Sequence, residues 1–210
     1  MKTELPYDII QGVKHYNFKR SWNYLQEMGK TRFGQNFQLN PQDKRIIYKL
    51  MIYFIRDEET CAQYGIDLDK GILLNGPVGC GKTSLMTLMR HFTYPGHNFI
   101  IKTTRDIASE FNQEGYTVIP KYGKTSNKIY CFDDLGVENN MKYFGNECNT
   151  IAEILLQRYE LHVFEGTITH ATTNLNSNEL EQLYGDRVRS RLRSMCNLIT
   201  FNRGSCDKRK

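Results

Sequence analysis

Apolar positions along this chain recur at two spacings. From Pro41 to about Ile55, Ile46, Ile47, Leu50, Met51 and Phe54 fall three and four residues apart, with Asn40 placed to cap the first turn and Pro41 at the first helical position, so a core-packed helix is predicted. A short apolar run predicts a buried strand at Gly71–Asn75, a mostly apolar one at Ile129–Phe132, and further strands are expected at Asn98–Thr103, Thr167–Thr172 and Leu198–Phe201. Helical segments are expected between them at Ser84–Phe92, Arg105–Gln113, Asn149–Val163, Asn178–Tyr184 (capped by Asn176 or Ser177) and Val188–Arg193. Strands alternating with helices call for an α/β sandwich built on a mainly parallel five-stranded sheet with helices on both faces. Ligands in such sheets sit beyond the C-terminal strand ends, where Gly76, Asp133 and Asn174 would lie. The first 65 residues have weaker periodicity, several aromatics and a short helix near Ser21–Gly29, and read as a helical appendage (residues 1–65) to a domain spanning residues 66–210.

A length of 210 residues suits one domain of ordinary size plus that appendage. Hydrophobic residues at 40% and charged residues at 24% exclude a disordered chain. No apolar run approaches the roughly 20 residues of a membrane span, and no signal-peptide stretch follows Met1, so a cytoplasmic protein without a membrane partner is expected. The six cysteines form no Cys-x-x-Cys pair and read as reduced thiols. Cys80 reads first as a small residue that fits its loop, although the local field there also favours a thiolate. The net charge of +5 is uneven: residues 187–210 carry eight Lys/Arg against Asp207, a local +7, which leaves −2 for the remaining 186 residues. That basic segment could face DNA, or the phosphates of a nucleotide held by a neighbouring subunit.

The chemistry is densest at Gly76-Pro77-Val78-Gly79-Cys80-Gly81-Lys82-Thr83, followed by Ser84, between a predicted strand and a predicted helix. The glycines let backbone N–H groups curl toward phosphate oxygens, and the helix directs its positive end to the same place. Lys82 would reach the β- and γ-phosphates and Thr83 would offer a hydroxyl to Mg²⁺, so ATP with Mg²⁺ is the expected ligand. Asp133-Asp134 follows Thr83 by 50 residues, at the end of a mostly apolar run. Asp133 suits Mg²⁺, through a water, and Asp134 suits a general base acting on the attacking water, although two acids in a turn after a strand would look the same. Asn174, after Ala171-Thr172-Thr173, could orient that water, but Asn is also a common turn residue. In Gly185-Asp186-Arg187-Val188-Arg189-Ser190-Arg191-Leu192-Arg193, Arg187 and Arg191 share a helix face, and one could enter a neighbour's active site; a basic helix on DNA or in solvent is the plainer reading.

With these motifs in this order the chain resembles the AAA+ ATPases of the bacterial replicative helicase loader and insertion-sequence transposase helper group, from about Lys70 to Asn202. The resemblance is carried by the phosphate-loop octet, by Asp133-Asp134-Leu135-Gly136, and by the arginine run leading to Thr200-Phe201-Asn202. It implies an oligomeric ATPase with Lys82, Asp134 and Asn174 in the catalytic set and a trans arginine finger, for which Arg191 is favoured over Arg187. It also implies a partner that is a replicative helicase or a transposase, and DNA bound through the basic segment. Two features depart from the group. Asp134 is one methylene shorter than the Glu often found there, and Ser205-Cys206-Asp207 carries an acid where a sensor arginine is usual, so Lys208 or Arg209 would have to substitute. With the last strand expected so near residue 210, no full lid domain is expected. Helicase loading is the expected task; ATP-dependent filaments on duplex DNA, or a P-loop switch or kinase without a trans arginine, are the alternatives.

Overall fold

The computed structural model describes residues 4–138, 141–143, 146–202, 204–205 and 207–208. An antiparallel hairpin comes first, with β1 (Tyr7–Ile10) and β2 (Val13–Tyr16) joined at Gln11–Gly12, both in left-handed backbone as a tight hairpin turn requires. Asn17 then caps α1 (Phe18–Phe33), its side chain accepting the N–H of Arg20. The helix is longer than Ser21–Gly29 because the cap and Gly34 lie well outside its buried positions Ser21, Leu25 and Gly29. Asn40 and Pro41 open a single 3₁₀ turn, Pro41–Asp43, which leads into α2 (Lys44–Phe54). A short α3 (Glu58–Gln63), capped by Asp57, was not legible, since six residues are too few to display a period.

The remaining elements alternate as expected: β3 (Gly71–Asn75), α4 (Lys82–Met89), β4 (Phe99–Thr103), α5 (Thr104–Glu114), α6 (Val118–Tyr122) and β5 (Ile129–Leu135). A small antiparallel hairpin of β6 (Met141–Tyr143) and β7 (Asn146–Cys148) precedes α7 (Thr150–Glu165), β8 (Thr169–Thr173), α8 (Ser177–Tyr184), α9 (Asp186–Met195) and β9 (Cys196–Thr200). Five of the strands pair in parallel in the order β4-β5-β8-β3-β9. The inner strands are nearly continuously buried, whereas the edge strands β4 and β9 are partly exposed. That difference is why β3 and the first half of β5 read as apolar runs without alternation, whereas β8 buries threonines and a histidine instead.

Two hydrophobic clusters cover the two faces of the sheet. Ile72, Leu74 and Cys131 point to one, where Leu25, Ile47, Leu50 and Met86 pack. Leu73, Tyr130 and Phe132 point to the other, with Ile107, Ile154 and Leu192. Successive strand residues face opposite layers, which makes a three-layer sandwich. Helices α1 and α2, from the segment expected as an appendage, thus share a cluster with β3 and α4. Arg158 is fully buried on α7 and donates to Thr169 Oγ1 and to the carbonyls of Ser126, Lys128 and Ile168, tying α7 to strand ends opposite the phosphate loop. No helix of the described residues is long and apolar enough to cross a membrane.

Candidate functional site

The loop Gly76–Gly81 joins the C-terminal end of β3 to the N-terminus of α4. Its base is fixed by two backbone bonds, Gly76 N–H to the Thr173 carbonyl (3.2 Å) and Phe201 N–H to the Asn75 carbonyl (2.8 Å). Gly79 and Gly81 adopt φ of 78° and 97°, a region that a side chain would strain, and this curls the loop around the start of α4. The ammonium of Lys82 lies inside the curl and donates to the carbonyls of Gly76 (2.9 Å) and Pro77 (3.1 Å). Pro77 and Val78 form the outer arc, with Val78 exposed.

Cys80 is the small loop residue that it first reads as. Its side chain is fully buried, and burial pushes the thiol pKa up against the opposing influence of Lys82 and Lys208, so it is a protonated packing residue rather than a thiolate. Five of the six cysteines are free thiols, and Cys206 lies outside the described residues.

The two acids lie within β5, which runs three residues beyond the predicted end at Phe132. Asp133 is buried and its carboxylate accepts hydroxyl protons from Thr83 (2.8 Å) and Thr172 (2.7 Å). Burial raises its pKa, while the bonds from Thr172 and Thr83 act in the opposite direction. The ladder with β8 shifts register between Phe132 and Leu135, and within that irregularity Asp134 takes left-handed backbone at φ 59°. Such a conformation persists in a non-glycine residue only when its surroundings over-determine it. Here Asp134 N–H donates to Thr172 Oγ1 (2.9 Å) and its carbonyl accepts from Thr104 Oγ1 (2.9 Å). The threonine hydroxyl of Thr172 therefore serves both acids at once.

A cavity of about 830 Å³ opens in front of these groups, lined by Gly79, Lys82, Thr83, Ser84 and Asp134. Its far wall comes from the segment between α1 and α2, including Phe37, Leu39, Asn40 and Asp43. Sequence reading missed that wall, because no spacing rule connects it to a loop some 40 residues later. Asn174 stands exposed immediately after β8, between the strand bearing the acids and the strand bearing the loop.

The segment after β9 lies on the phosphate loop. Lys208 N–H donates to the Gly79 carbonyl (3.0 Å), and its ammonium donates to the Cys80 carbonyl (2.6 Å), pairs with the buried carboxylate of Asp43 and stands 5.1 Å from the Phe201 ring centre. A cation from this segment is thus present in the cavity, bound to Asp43; Arg209, the other residue expected there, lies outside the described residues.

The arginine helix lies elsewhere. On α9, Arg187 is exposed, Arg189 pairs with Glu181 and Asp186, and Arg191 lies half-buried over the Tyr159 ring at 5.0 Å while donating to the Arg187 carbonyl (3.3 Å). Arg191 does not line the chain's own cavity. The structure therefore brings together Gly76–Ser84, Asp133 and Asp134, sets Asn174 at the adjacent strand end, and leaves Arg191 apart.

The donor set fits a nucleoside triphosphate with a divalent cation. Left-handed glycines and a helix N-terminus face a cavity of ligand size, and a hydroxyl and a carboxylate sit within bonding distance of each other beside it.

No family model and no curated protein matches the sequence. Solved structures do match. A Streptococcus pyogenes serotype M3 protein provisionally described as a primosome component aligns at a TM-score of 0.58 and 17% identity, over 89% of this chain and 91% of that one. The DnaC helicase loader aligns at 0.56 and 20%, over 88% and 99%. AMPPCP-bound DnaA from Aquifex aeolicus aligns at 0.52 and 20%, over 80% of this chain and 49% of that one, so the match spans about half of DnaA. These likenesses show the fold alone, an α/β sandwich on a five-stranded parallel sheet, as the alternation of elements predicts.

Proposed function

We propose that this chain binds ATP with Mg²⁺ beside Gly76–Ser84, hydrolyses it, and uses its nucleotide state to govern self-assembly on a replicative helicase and DNA. The observation that carries the chemistry is the Thr83–Asp133 contact of 2.8 Å at the mouth of the phosphate loop, with Asp134 next along the strand.

The roles follow from what each group can do. Backbone N–H groups of Gly76–Gly81 and the N-terminus of α4 hold the phosphates, and Lys82 exchanges its two loop carbonyls for phosphate oxygens. Ser84, on the first turn of α4 at the cavity wall, adds a hydroxyl beside them. Thr83 and Asp133, whose side chains meet at 2.8 Å, would hold the cation. Mg²⁺, when bound, supplies charge neutralisation of the transferring phosphoryl group. Asp134 accepts the proton of the attacking water, which its locked backbone keeps at a fixed position, and Asn174 orients that water from the adjacent strand. Arg191 leaves Tyr159 to enter the cavity of the next subunit, where a cation stabilises developing charge.

The likeness to the DnaC helicase loader along nearly all of that chain favours a helicase as the partner. The basic segment containing Arg187 and Arg193 is the DNA contact, and its binding weakens steeply with salt because basic side chains displace counterions. The test is an affinity pull-down with Asp134→Asn in the presence of ATP, which keeps nucleotide bound without turnover, and with Lys82→Ala as the non-binding control. Retention of the replicative helicase by the first variant and not by the second is the expected result. Retention of a transposase, or of neither, refutes the loader assignment.

A further inference from the structure

The turn that follows the candidate base is held by ties that the reaction itself does not use. Asp134 at φ 59° and Gly136 at φ 97° both lie in left-handed backbone, and Gly136 leaves no room for a side chain against Leu175, the residue after Asn174. Leu175 is fixed in turn, since its carbonyl accepts from Asn75 Nδ2 (2.6 Å) at the end of β3. Beyond Leu135, which still pairs with Thr173, the ladder with β8 has ended, and a side chain joins the one backbone bond of Val137 N–H to the Asp134 carbonyl (3.3 Å) in holding the chain. Glu138 does so by folding back: Oε2 accepts Gly136 N–H (3.0 Å) and Oε1 accepts the phenolic proton of Tyr184.

Tyr184 occupies a corner. It is the last residue of α8, buried to 7% exposure, and Gly185 (φ 85°) turns the chain directly into α9, the helix that carries Arg187 and Arg191. The Leu183 carbonyl is held as well, by Asn149 Nδ2 (2.9 Å) at the cap of α7. Burial and the neighbouring Glu138 carboxylate raise the Tyr184 pKa, so the hydroxyl remains a donor at neutral pH. One side-chain hydrogen bond thus joins the turn after Asp134 to the point from which the arginine helix departs.

We infer that Glu138 and Tyr184 are positioning residues that hold the Asp134 turn and the α8–α9 corner in a single arrangement, so that the base of one site and the arginine helix serving the next move together. The consequence for turnover rests on the ATPase reading; the mechanical link does not.

The experiment uses the full chain with Tyr184→Phe, which keeps the ring and removes only the O–H, with Glu138→Ala, and with Glu138→Gln, whose amide oxygen can still accept. Backbone amide exchange is followed without nucleotide at residues 136–138 and 185–189. Both segments are expected to exchange about tenfold faster in Tyr184→Phe, as loss of one charge-assisted hydrogen bond implies, and at least as much faster in Glu138→Ala, which loses two, with Glu138→Gln between these and wild type because its amide oxygen replaces only one of the two acceptors. Acceleration in only one segment, in neither, or evenly along the whole chain overturns the link. Steady-state kinetics supply the second readout: kcat is expected to fall about tenfold while the KM for ATP stays within about twofold, because the phosphate loop is untouched. An unchanged kcat overturns the inference. A wild-type protein without turnover removes the ATPase reading alone, and the exchange result then decides the link by itself.

Discussion

Thr172→Val replaces one hydroxyl by a methyl of similar size, so no cavity opens, yet it removes two contacts from the centre of the site. Thr172 is fully buried on β8, donates to the Asp133 carboxylate at 2.7 Å and accepts the Asp134 N–H at 2.9 Å. A hydrogen bond to a charged group contributes about 1.5–3 kcal/mol, and a buried N–H left without a partner costs about 1–3 kcal/mol. The combined loss is roughly 2.5–6 kcal/mol, a large part of the 5–15 kcal/mol typical of a folded domain. For a chain of this length it corresponds to a fall in Tm of about 5–25 °C. Urea unfolding followed by the fluorescence of Trp22, which packs against the α1–α2 cluster, measures the difference. Catalysis should suffer further. Burial then raises the Asp133 pKa with less opposition, which weakens its hold on a cation, and Asp134 loses one of the two bonds that keep it left-handed. A loss below about 0.5 kcal/mol, within the range of ordinary surface substitutions, would refute the assignment of Thr172 as the shared anchor of the two acids.

Two other outcomes are expected. His170 is buried in β8, accepts the Ile72 N–H at Nδ1 (3.0 Å), and has its pKa lowered from 6.5 to about 3, first by burial and then by Arg158 and His97. The folded state therefore keeps it neutral while the unfolded chain protonates. Stability is full above pH 6.5 and is lost progressively as pH falls toward 3, by about 2–3 kcal/mol at pH 4.5. His170→Gln retains an acceptor but does not titrate, so its urea-derived stability should vary less steeply over this window; an identical slope refutes the argument. Arg191→Ala should reduce ATPase turnover at protein concentrations where copies associate and leave monomer behaviour alone, and turnover unchanged at every concentration rejects the shared-site reading.

The phosphate loop was legible because its chemistry is local: a run of glycines, a lysine and a threonine need only a strand before and a helix after to become a cradle. The parallel sheet was legible for a related reason, since burial on both faces leaves apolar runs that show in the residues themselves. Local rules reach no further than neighbouring residues. The N-terminal hairpin displays exposed Ile9, Ile10 and Val13, so no buried face marked it, and α3 and α6 are too short to carry a period. Asp133 and Asp134 were readable as acids at a strand end, but not the register shift that turns Asp134 left-handed, which depends on Thr172 and Thr104 from two other elements.

By itself, then, the order of residues determined the make-up of the glycine-rich loop and the alternation of elements, since both arise from groups that are neighbours along the chain. Tertiary structure decided everything set by distant residues meeting. It set Asp43 and Lys208 together beside the phosphate loop, built the far wall of the cavity from Phe37 to Asn40, folded Arg191 onto Tyr159, and joined Glu138 to Tyr184. Such contacts depend on how three packed layers bring separated segments into reach, and no spacing along the chain encodes that distance.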